Sequence, residues 1–384
     1  MSKIHWLGTG LSAIPGLKML IEKGYSVVVY NRTVENATKA LSGIEGDYQI
    51  VPFSFETIKE NTNTGDVVVS MLPGNFHVPI AELSISVGAH FVSSSYISEE
   101  MQSLHESSVK KNLCLVNEVG LDPGIDHSMS HALVEDYKNS KVFSAENQHS
   151  FLSYCGGLSD TPNDFCYKFS WSPLGVLKAL MSTSVSIRES QIYTVDKPWE
   201  SVELYPLPMP WGEDEFEVYP NRDSLPFIEQ YQMNEGLKID YFVRGTLRYK
   251  GWKAAWTDIF SEVDSLDSQE VEERLKILSD DLWKKYSYKE GEVDRVILTV
   301  ELKVKKDSEV VWHKQFLLDT LGNAKGSAMA QLVSCSVALA VEAVLNKEIP
   351  PGVSAAPHQS ELVKRWLNQA EDISDHFALI DHLS

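Results

Sequence analysis

Residues 117–137 read NEVGLDPGIDHSMSHALVEDY, and three kinds of chemistry compete there. Asp122 and Asp126 flank a Pro123-Gly124 step, and His127 and His131 follow four residues apart. Two histidines at that spacing share one helix face and could hold a metal, with Asp126 or Asp122 as a third ligand. A carboxylate at the start of a helix, as at Asp126, could instead satisfy free N–H groups. A carboxylate held out by a Pro-Gly bend, as at Asp122, could move a proton on a bound ligand. No HExxH-type partner accompanies the histidines, so no metal is expected. Asp126 is read mainly as structure, and Asp122 is kept as a catalytic candidate.

The elements that would position Asp122 come earlier in the chain. Short apolar runs stand at KIHWL (3–7), YSVVVY (25–30), YQIVP (48–52), DVVVS (66–70), AHFVSS (89–94) and LCLV (113–116). Between them lie segments of helical spacing, such as Leu17, Leu20 and Ile21, then Ile80, Leu83 and Val87. β-branched runs this short, separated by helix-length segments, predict parallel strands with crossover helices. Six of them by residue 116 predict a Rossmann-type dinucleotide-binding sheet.

The first turn supports that reading. GTGLSAIPG places Gly8, Gly10 and Ala13 in a G-x-G-x-x-A pattern after a strand and before a helix. Gly8 allows the tight turn, and Gly10 lets the backbone approach a pyrophosphate at the helix N-terminus. Leu11 and Ser12 complete the loop. About 20 residues further on, an NAD enzyme places a carboxylate on the ribose. This chain has Asn31, Arg32 and Thr33. A guanidinium pairs with a 2′-phosphate that a carboxylate would repel, so NADP is expected. Thr33 could alternatively cap the next helix, and Arg32 could be a solvated surface residue. Ligands bind at the carboxyl ends of such strands. Leu72 and Pro73 are therefore expected near the nicotinamide ribose, and Ser94, Ser95 and Tyr96 where a substrate meets the nicotinamide. Leu121 and Asp122 follow the sixth strand into the same crevice.

The second half changes pattern. SFLSYCGG (150–157) and GTLRYKGW (245–252) read as strands. RVILTVELKV (295–304) and VVWHKQFLL (310–318) form a hairpin about KKDSE. Residues 253–288 read as helical, and 194–226 as ordered loops around a pocket, with Trp199 and Trp211 read either as pocket walls or, equally, as exposed loop aromatics. The stretch 327–345 is almost entirely apolar but carries Gln331 and Glu342, which favours a buried helix over a membrane span. The expected fold class is α/β: a Rossmann-type parallel sheet domain, then a second α/β domain with a mixed or antiparallel sheet and a helical insertion.

With 384 residues, 43% apolar content and 23% charged, the chain has room for two or three soluble domains. A net charge of −20 argues against a nucleic-acid partner. No membrane partner and no cleavable leader are expected. Cys114, Cys155, Cys166 and Cys335 form no CxxC pair, so a reducing cytoplasm is expected.

NEVGLDPGIDH (117–127) resembles the signature of saccharopine dehydrogenases of the NADP-dependent, L-glutamate-forming type. SSYIS (94–98), FLSYCGGL (151–158), YKFSWSPLGVL (167–177), YPNRDS (219–224) and RGTLRYKGW (244–252) agree with that family in order. Two segments depart from it. The glycine turn continues Ala13-Ile14-Pro15 where the family often has Ala-Arg-Pro, and SDTPND (159–164) stands where Pro-Ala-Pro-Glu is common.

The resemblance implies a homodimer that interconverts saccharopine with glutamate and aminoadipate semialdehyde by hydride transfer through an imine, in lysine metabolism. It implies an NADP domain of 1–123 with 347–384, and a substrate and dimerisation domain of 124–346. It implies a substrate site of Ser95, Tyr96, Asp122, Pro123, Cys155, Gly156, Ser172, Arg222, Arg244 and Thr246. Saccharopine carries three carboxylates, for which Arg222, Arg244 and Arg248 are the candidate partners, Arg244 and Arg248 sharing one strand face and the motifs favouring Arg222 and Arg244. Asp122, Tyr96 and Cys155 remain open as the group that moves the proton. Gly156 and Gly157 could present N–H groups to a carboxylate. A related enzyme joining an amine to a carbonyl, of the carboxynorspermidine or opine type, and a non-enzymatic NADP sensor are the alternatives.

Overall fold

The computed structural model describes residues 2–234, 236–266 and 271–384. Residues 267–270, inside the helical stretch expected at 253–288, lie outside the described residues. Among the described residues the strands are, in chain order, β1 (Ile4–Leu7), β2 (Val27–Asn31), β3 (Tyr48–Pro52), β4 (Val67–Ser70), β5 (His90–Ser93) and β6 (Cys114–Val116). There follow β7 (Gln148–Ser159), β8 (Ser184–Arg188), β9 (Gln191–Val195), β10 (Glu203–Met209), β11 (Gly212–Pro220) and β12 (Lys238–Tyr249). The last are β13 (Asp294–Lys306), β14 (Glu309–Leu321), β15 (Gly352–Ser354) and β16 (His376–Asp381). The chain divides into two compact units, one of residues 1–128 with 324–373 and the other of 129–323 with 374–384.

The first unit is built on a parallel sheet in the order β15-β6-β5-β4-β1-β2-β3. The strands are apolar throughout because both faces are covered. Ile4, Trp6, Val27, Val29, Val67 and Val69 pack with Leu17, Leu20 and Ile21 of the helix Ile14–Glu22 and with the helix Ala328–Leu345. Their neighbours Val28, Tyr30, Val68 and Phe91 face the other way, onto Ile58, Ile80 and Ile85. Alternate residues thus serve opposite helix layers, which removes the polar alternation of a half-wet strand.

The second unit carries a mixed sheet in the order β10-β11-β12-β7-β13-β14-β16, with β8 on β12 and β9 on β8. Among the described residues, only β12 and β7 run parallel in it. The β13–β14 hairpin turns at Asp307 (φ 48°) and Ser308 (φ 72°), both left-handed, the geometry of a two-residue turn that matches strand twist. A core of Tyr154, Leu158, Leu207, Phe216, Leu247, Ile297 and Leu317 lines one face of this sheet. An aromatic cluster built on Phe165, Tyr167, Trp252 and Trp256 packs with the helices Pro173–Leu180, Thr257–Asp264 and Val271–Tyr286.

Three expectations are corrected. Residues 203–220 are not loops but the antiparallel pair β10–β11, whose alternating prolines and acidic residues hid the period of two. Trp199 is not an exposed loop aromatic but is buried against Phe260, whereas Trp211, 63% exposed above Arg295, agrees with the exposed reading. The division of the chain also differs. The apolar helix at 328–345 belongs to the first unit, where the Gly16 N–H donates to Ser334 Oγ at 2.8 Å. A Cβ on Gly16 would lie 1.9 Å from the Ser334 carbonyl oxygen, so the two helices touch through that glycine. Residues 374–384 belong to the second unit, where β16 supplies the partner that β14 needs on its open side.

Candidate active site

The carboxyl edge of the first unit's sheet gathers most of the expected residues. Gly8, after β1, has φ +98°, and a Cβ there would lie 3.0 Å from the Met71 carbonyl oxygen. The turn is therefore pressed against the end of β4, and only glycine fits. At Gly10 a Cβ would meet nothing within 4 Å. That glycine is not required by protein packing, and the space beside it is open to a ligand. The Ala13 N–H closes the turn on the Gly10 carbonyl at 3.2 Å, Ala13 is buried, and Leu11 is exposed. Ser12 is half-buried beside them. At the end of β2, Asn31 Nδ2 donates to the Thr33 carbonyl at 2.9 Å, which shapes the step carrying the exposed Arg32 and Thr33. Thr33 occupies the N-cap position of the helix Val34–Ala40, but its side chain makes no capping hydrogen bond. No carboxylate stands among Asn31, Arg32 and Thr33, and the exposed guanidinium has the charge that could pair with a phosphate.

At the neighbouring strand ends lies a relay that no motif announced. His77, the first residue of the helix His77–Val87, is 6% exposed. Its Nδ1 is 2.9 Å from Ser70 Oγ at the end of β4, and its Nε2 is 2.8 Å from Ser95 Oγ after β5. Burial pushes the imidazole pKa down to about 4, so the ring is neutral. Leu72 and Pro73 stand between Ser70 and His77 in the chain, and Ser94 is half-buried beside Ser95.

After β6 the chain folds tightly on itself. Gly120 N–H donates to the Pro123 carbonyl at 2.9 Å, and Asp122-Pro123 is a cis peptide. A Cβ on Gly124 would lie 2.1 Å from the Gly120 carbonyl oxygen. Asp126 is fully buried and its Oδ1 accepts the Gly124 N–H at 2.6 Å, a structural role. Glu118 (φ 56°) accepts the Ile97 N–H at 3.0 Å and lies 3.1 Å from His127 Nε2. His131 packs edge-on against Tyr231, with ring centroids 5.6 Å apart. The two histidines therefore serve different neighbours, and among the described residues no group of three or more His, Cys, Asp or Glu is arranged to hold a metal ion. Within this loop Leu121 is buried, and the Tyr96 hydroxyl donates to Asp122 Oδ1 at 3.2 Å. The carboxylate and phenol that the sequence singled out thus form one hydrogen-bonded pair.

In the second unit, Cys155 of β7 is in register with Thr246 of β12, and Ser153 with Arg244. Registered residues share a face, so Cys155, Thr246 and Arg244 lie on one side of the sheet. The Arg244 guanidinium lies 3.9 Å from the centre of the Phe227 ring. Stacking of this kind holds the planar cation in one orientation by cation–π attraction. Arg222 has a left-handed backbone (φ 57°), is exposed, and follows β11; the next residue back, Asn221, donates its N–H to the Arg244 carbonyl at 2.9 Å. Arg248, on the same face, is clamped instead among Tyr167, Tyr219 and Trp252. Ser172 caps the helix Pro173–Leu180 by accepting the Gly175 N–H at 3.2 Å. Gly156 and Gly157 do not form an anion-holding turn. They sit within β7 opposite Ile297 and Val296, and a Cβ on Gly156 would lie 2.5 Å from the Leu247 carbonyl oxygen.

A parallel sheet of order 3-2-1-4-5-6 with a glycine turn at its switch point, followed by a separate mixed-sheet unit, defines a dinucleotide-dependent oxidoreductase. Residues 4–116 match the family model described as the saccharopine dehydrogenase NADP binding domain, and residues 120–374 match that of the saccharopine dehydrogenase C-terminal domain. The chain belongs to the saccharopine dehydrogenase family, and its cofactor is NADP. A saccharopine dehydrogenase (NADP(+), L-glutamate-forming) of Pyricularia oryzae is 29% identical over 435 aligned positions, covering 93% of each chain. The enzyme of the same name from Schizosaccharomyces pombe is 33% identical over 260 residues, 66% of this chain and 56% of that one. The apo saccharopine dehydrogenase (L-Glu forming) of Saccharomyces cerevisiae superposes with a TM-score of 0.79 at 26% identity, covering 99% of this chain and all of that one.

Proposed function

We propose that this chain interconverts saccharopine with glutamate and aminoadipate semialdehyde, using NADP, as a step of lysine metabolism. The observation that carries the reading is the Tyr96–Asp122 pair, a carboxylate held by a phenol at the carboxyl edge of a dinucleotide-binding sheet. The names of the relatives support the substrate. Gly8, Gly10, Leu11, Ser12 and Ala13 would hold the pyrophosphate, and Asn31, Arg32 and Thr33 the 2′-phosphate. Leu72, Pro73, Ser94, Ser95 and Leu121 would line the nicotinamide end. Bound NADP supplies the hydride acceptor, or as NADPH the donor.

The residues of the chain bind the substrate and move its protons. Arg222 and Arg244 take carboxylates of saccharopine, with Thr246, Cys155 and Ser95 as polar contacts. As the carbon beside the secondary amine is oxidised, the nitrogen gives up its proton to the Asp122 carboxylate, leaving an imine. Water adds to the imine carbon, and the resulting carbinolamine loses its hydroxyl proton as the C–N bond breaks and the amine takes a proton. Asp122, oriented by the Tyr96 hydroxyl, is the acceptor and donor in these transfers. A homodimer in the cytoplasm fits this reading. All four cysteines are free thiols, which supports a reducing compartment, and the acidic net charge of −20 suits a small-molecule substrate rather than a nucleic acid.

The direct experiment mixes saccharopine and NADP and follows NADPH absorbance. Turnover is expected, and Asp122→Asn should lower kcat by about a hundredfold or more while NADPH binding is retained. Full activity in Asp122→Asn would remove that residue from the proton path, and no turnover by the unaltered chain would remove saccharopine as the substrate.

A further inference from the structure

Ser70 is fully buried, and among the described residues the partner of its hydroxyl is His77 Nδ1 at 2.9 Å. A buried hydroxyl whose proton finds no acceptor costs free energy, so the Ser70 O–H donates to Nδ1. A neutral imidazole has one N–H and one lone pair. With its lone pair on Nδ1 engaged, the ring carries its proton on Nε2, which then donates to Ser95 Oγ at 2.8 Å. Ser95 has accepted a hydrogen bond from inside the protein, and its own O–H is left to donate outward from the carboxyl edge. The direction of each bond in the relay follows from the burial of its first member.

We propose that His77 is a positioning residue that fixes the Ser95 hydroxyl as a hydrogen-bond donor to an acceptor oxygen of the bound ligands. The inference rests on the function proposed above in placing Ser95 at the reacting end of the sheet. That oxygen belongs either to a substrate carboxylate or to the cofactor's carboxamide or ribose, and both present the same chemistry to a donor. A histidine suits the position because its two nitrogens span the gap between two strand ends. Its burial keeps it neutral at physiological pH, so the relay does not reverse with small changes in pH.

Two measurements test the proposal independently of each other. The first is 15N NMR of histidine-labelled protein near neutral pH, without substrate. His77 should show the tautomer protonated on Nε2, and a ring protonated on Nδ1, or on both nitrogens, overturns the proposal whatever the substrate proves to be. The second is a mutant series assayed with saccharopine and NADP. The amide of Asn can replace Nδ1 and that of Gln can replace Nε2. His77→Asn should therefore lose the Ser95 bond and weaken ligand binding about tenfold, while His77→Gln should stay within about threefold of the original. Ser95→Ala should match His77→Asn, and the double variant should be no worse than either single one. A rise in the saccharopine KM alone assigns the oxygen to the substrate, and weaker NADP binding assigns it to the cofactor. Additive losses, or equal losses in the Asn and Gln variants, reduce His77 to a packing role. Should His77→Asn fail to fold, Ser70→Ala replaces it: a several-fold loss is expected because the tautomer is released, and no loss overturns the relay. Absence of turnover by the unaltered chain would refute the substrate and leave the NMR result to decide His77.

Discussion

Single side chains in this protein take their meaning from what they face. Arg32 and Arg248 are both cations in an acidic chain of net charge −20, yet they do opposite things. Arg32 is exposed at the end of β2, beside a Thr33 whose side chain makes no capping bond. Arg248 is 5% exposed and lies against Tyr167, Tyr219 and Trp252. The first can recruit a phosphate and the second organises an aromatic core. Arg32→Ala should therefore weaken NADPH binding by about tenfold or more while NADH binding changes little, because only the phosphorylated ribose offers the guanidinium a charged partner. Equal losses for the two cofactors in fluorescence titrations would remove Arg32 from the phosphate site. Asp122, Tyr96 and Arg244 were legible as candidates because each sits in a recognisable motif. His77 was not, since HVPIAEL reads as an ordinary helix start and Ser70 as the end of a strand. The step to Ser95 becomes visible only when β4 and β5 lie side by side, with Ser70 in register with Ser93.

At the level of elements, glycines separate what packing requires from what a ligand requires. Gly16 lies where the helix Ile14–Glu22 meets the helix Ala328–Leu345, and a Cβ there would come within 1.9 Å of the Ser334 carbonyl oxygen. Gly10 lies six residues earlier, in the loop before that helix, and a Cβ there would meet nothing within 4 Å. Gly16→Ala should push the helices apart and lower stability by about 2 kcal/mol or more in urea unfolding. Gly10→Ala should leave stability within about 0.5 kcal/mol and yet cut NADPH affinity severalfold or more, since its methyl enters space kept for the dinucleotide. The reverse ranking would mean that the open space beside Gly10 has no ligand. The strands of the first unit were readable because burial on both faces produces continuous apolar runs. β10 and β11 were not, because the prolines and acidic residues at 203–220 imitate a loop.

Across the whole molecule, buried neutral histidines couple both units to pH. Burial lowers the pKa of His5, His77 and His90 in the first unit and of His149 in the second. A histidine whose folded pKa lies below its unfolded value of 6.5 leaves stability intact above that pH. As pH falls below it, the unfolded chain takes up protons that the folded chain refuses, and stability declines until the folded pKa is reached, about 4 for His77. His77 alone should cost about 2 kcal/mol at about pH 5, and the other three act in the same direction. Urea midpoints that stay flat between about pH 7.5 and pH 5 would contradict this reading. The sequence by itself determined the parallel sheet, the glycine turn, the absence of a ribose carboxylate, the long hairpin at 295–318 and the motifs of the family, because each is written in residues close together in the chain. Only the tertiary structure decided that the apolar helix at 328–345 belongs with the first sheet, that β16 completes the second, and that Ser70, His77 and Ser95 form one relay. Such choices rest on contacts between distant residues, 318 positions apart for Gly16 and Ser334, and local propensity carries no record of which distant surface will be complementary.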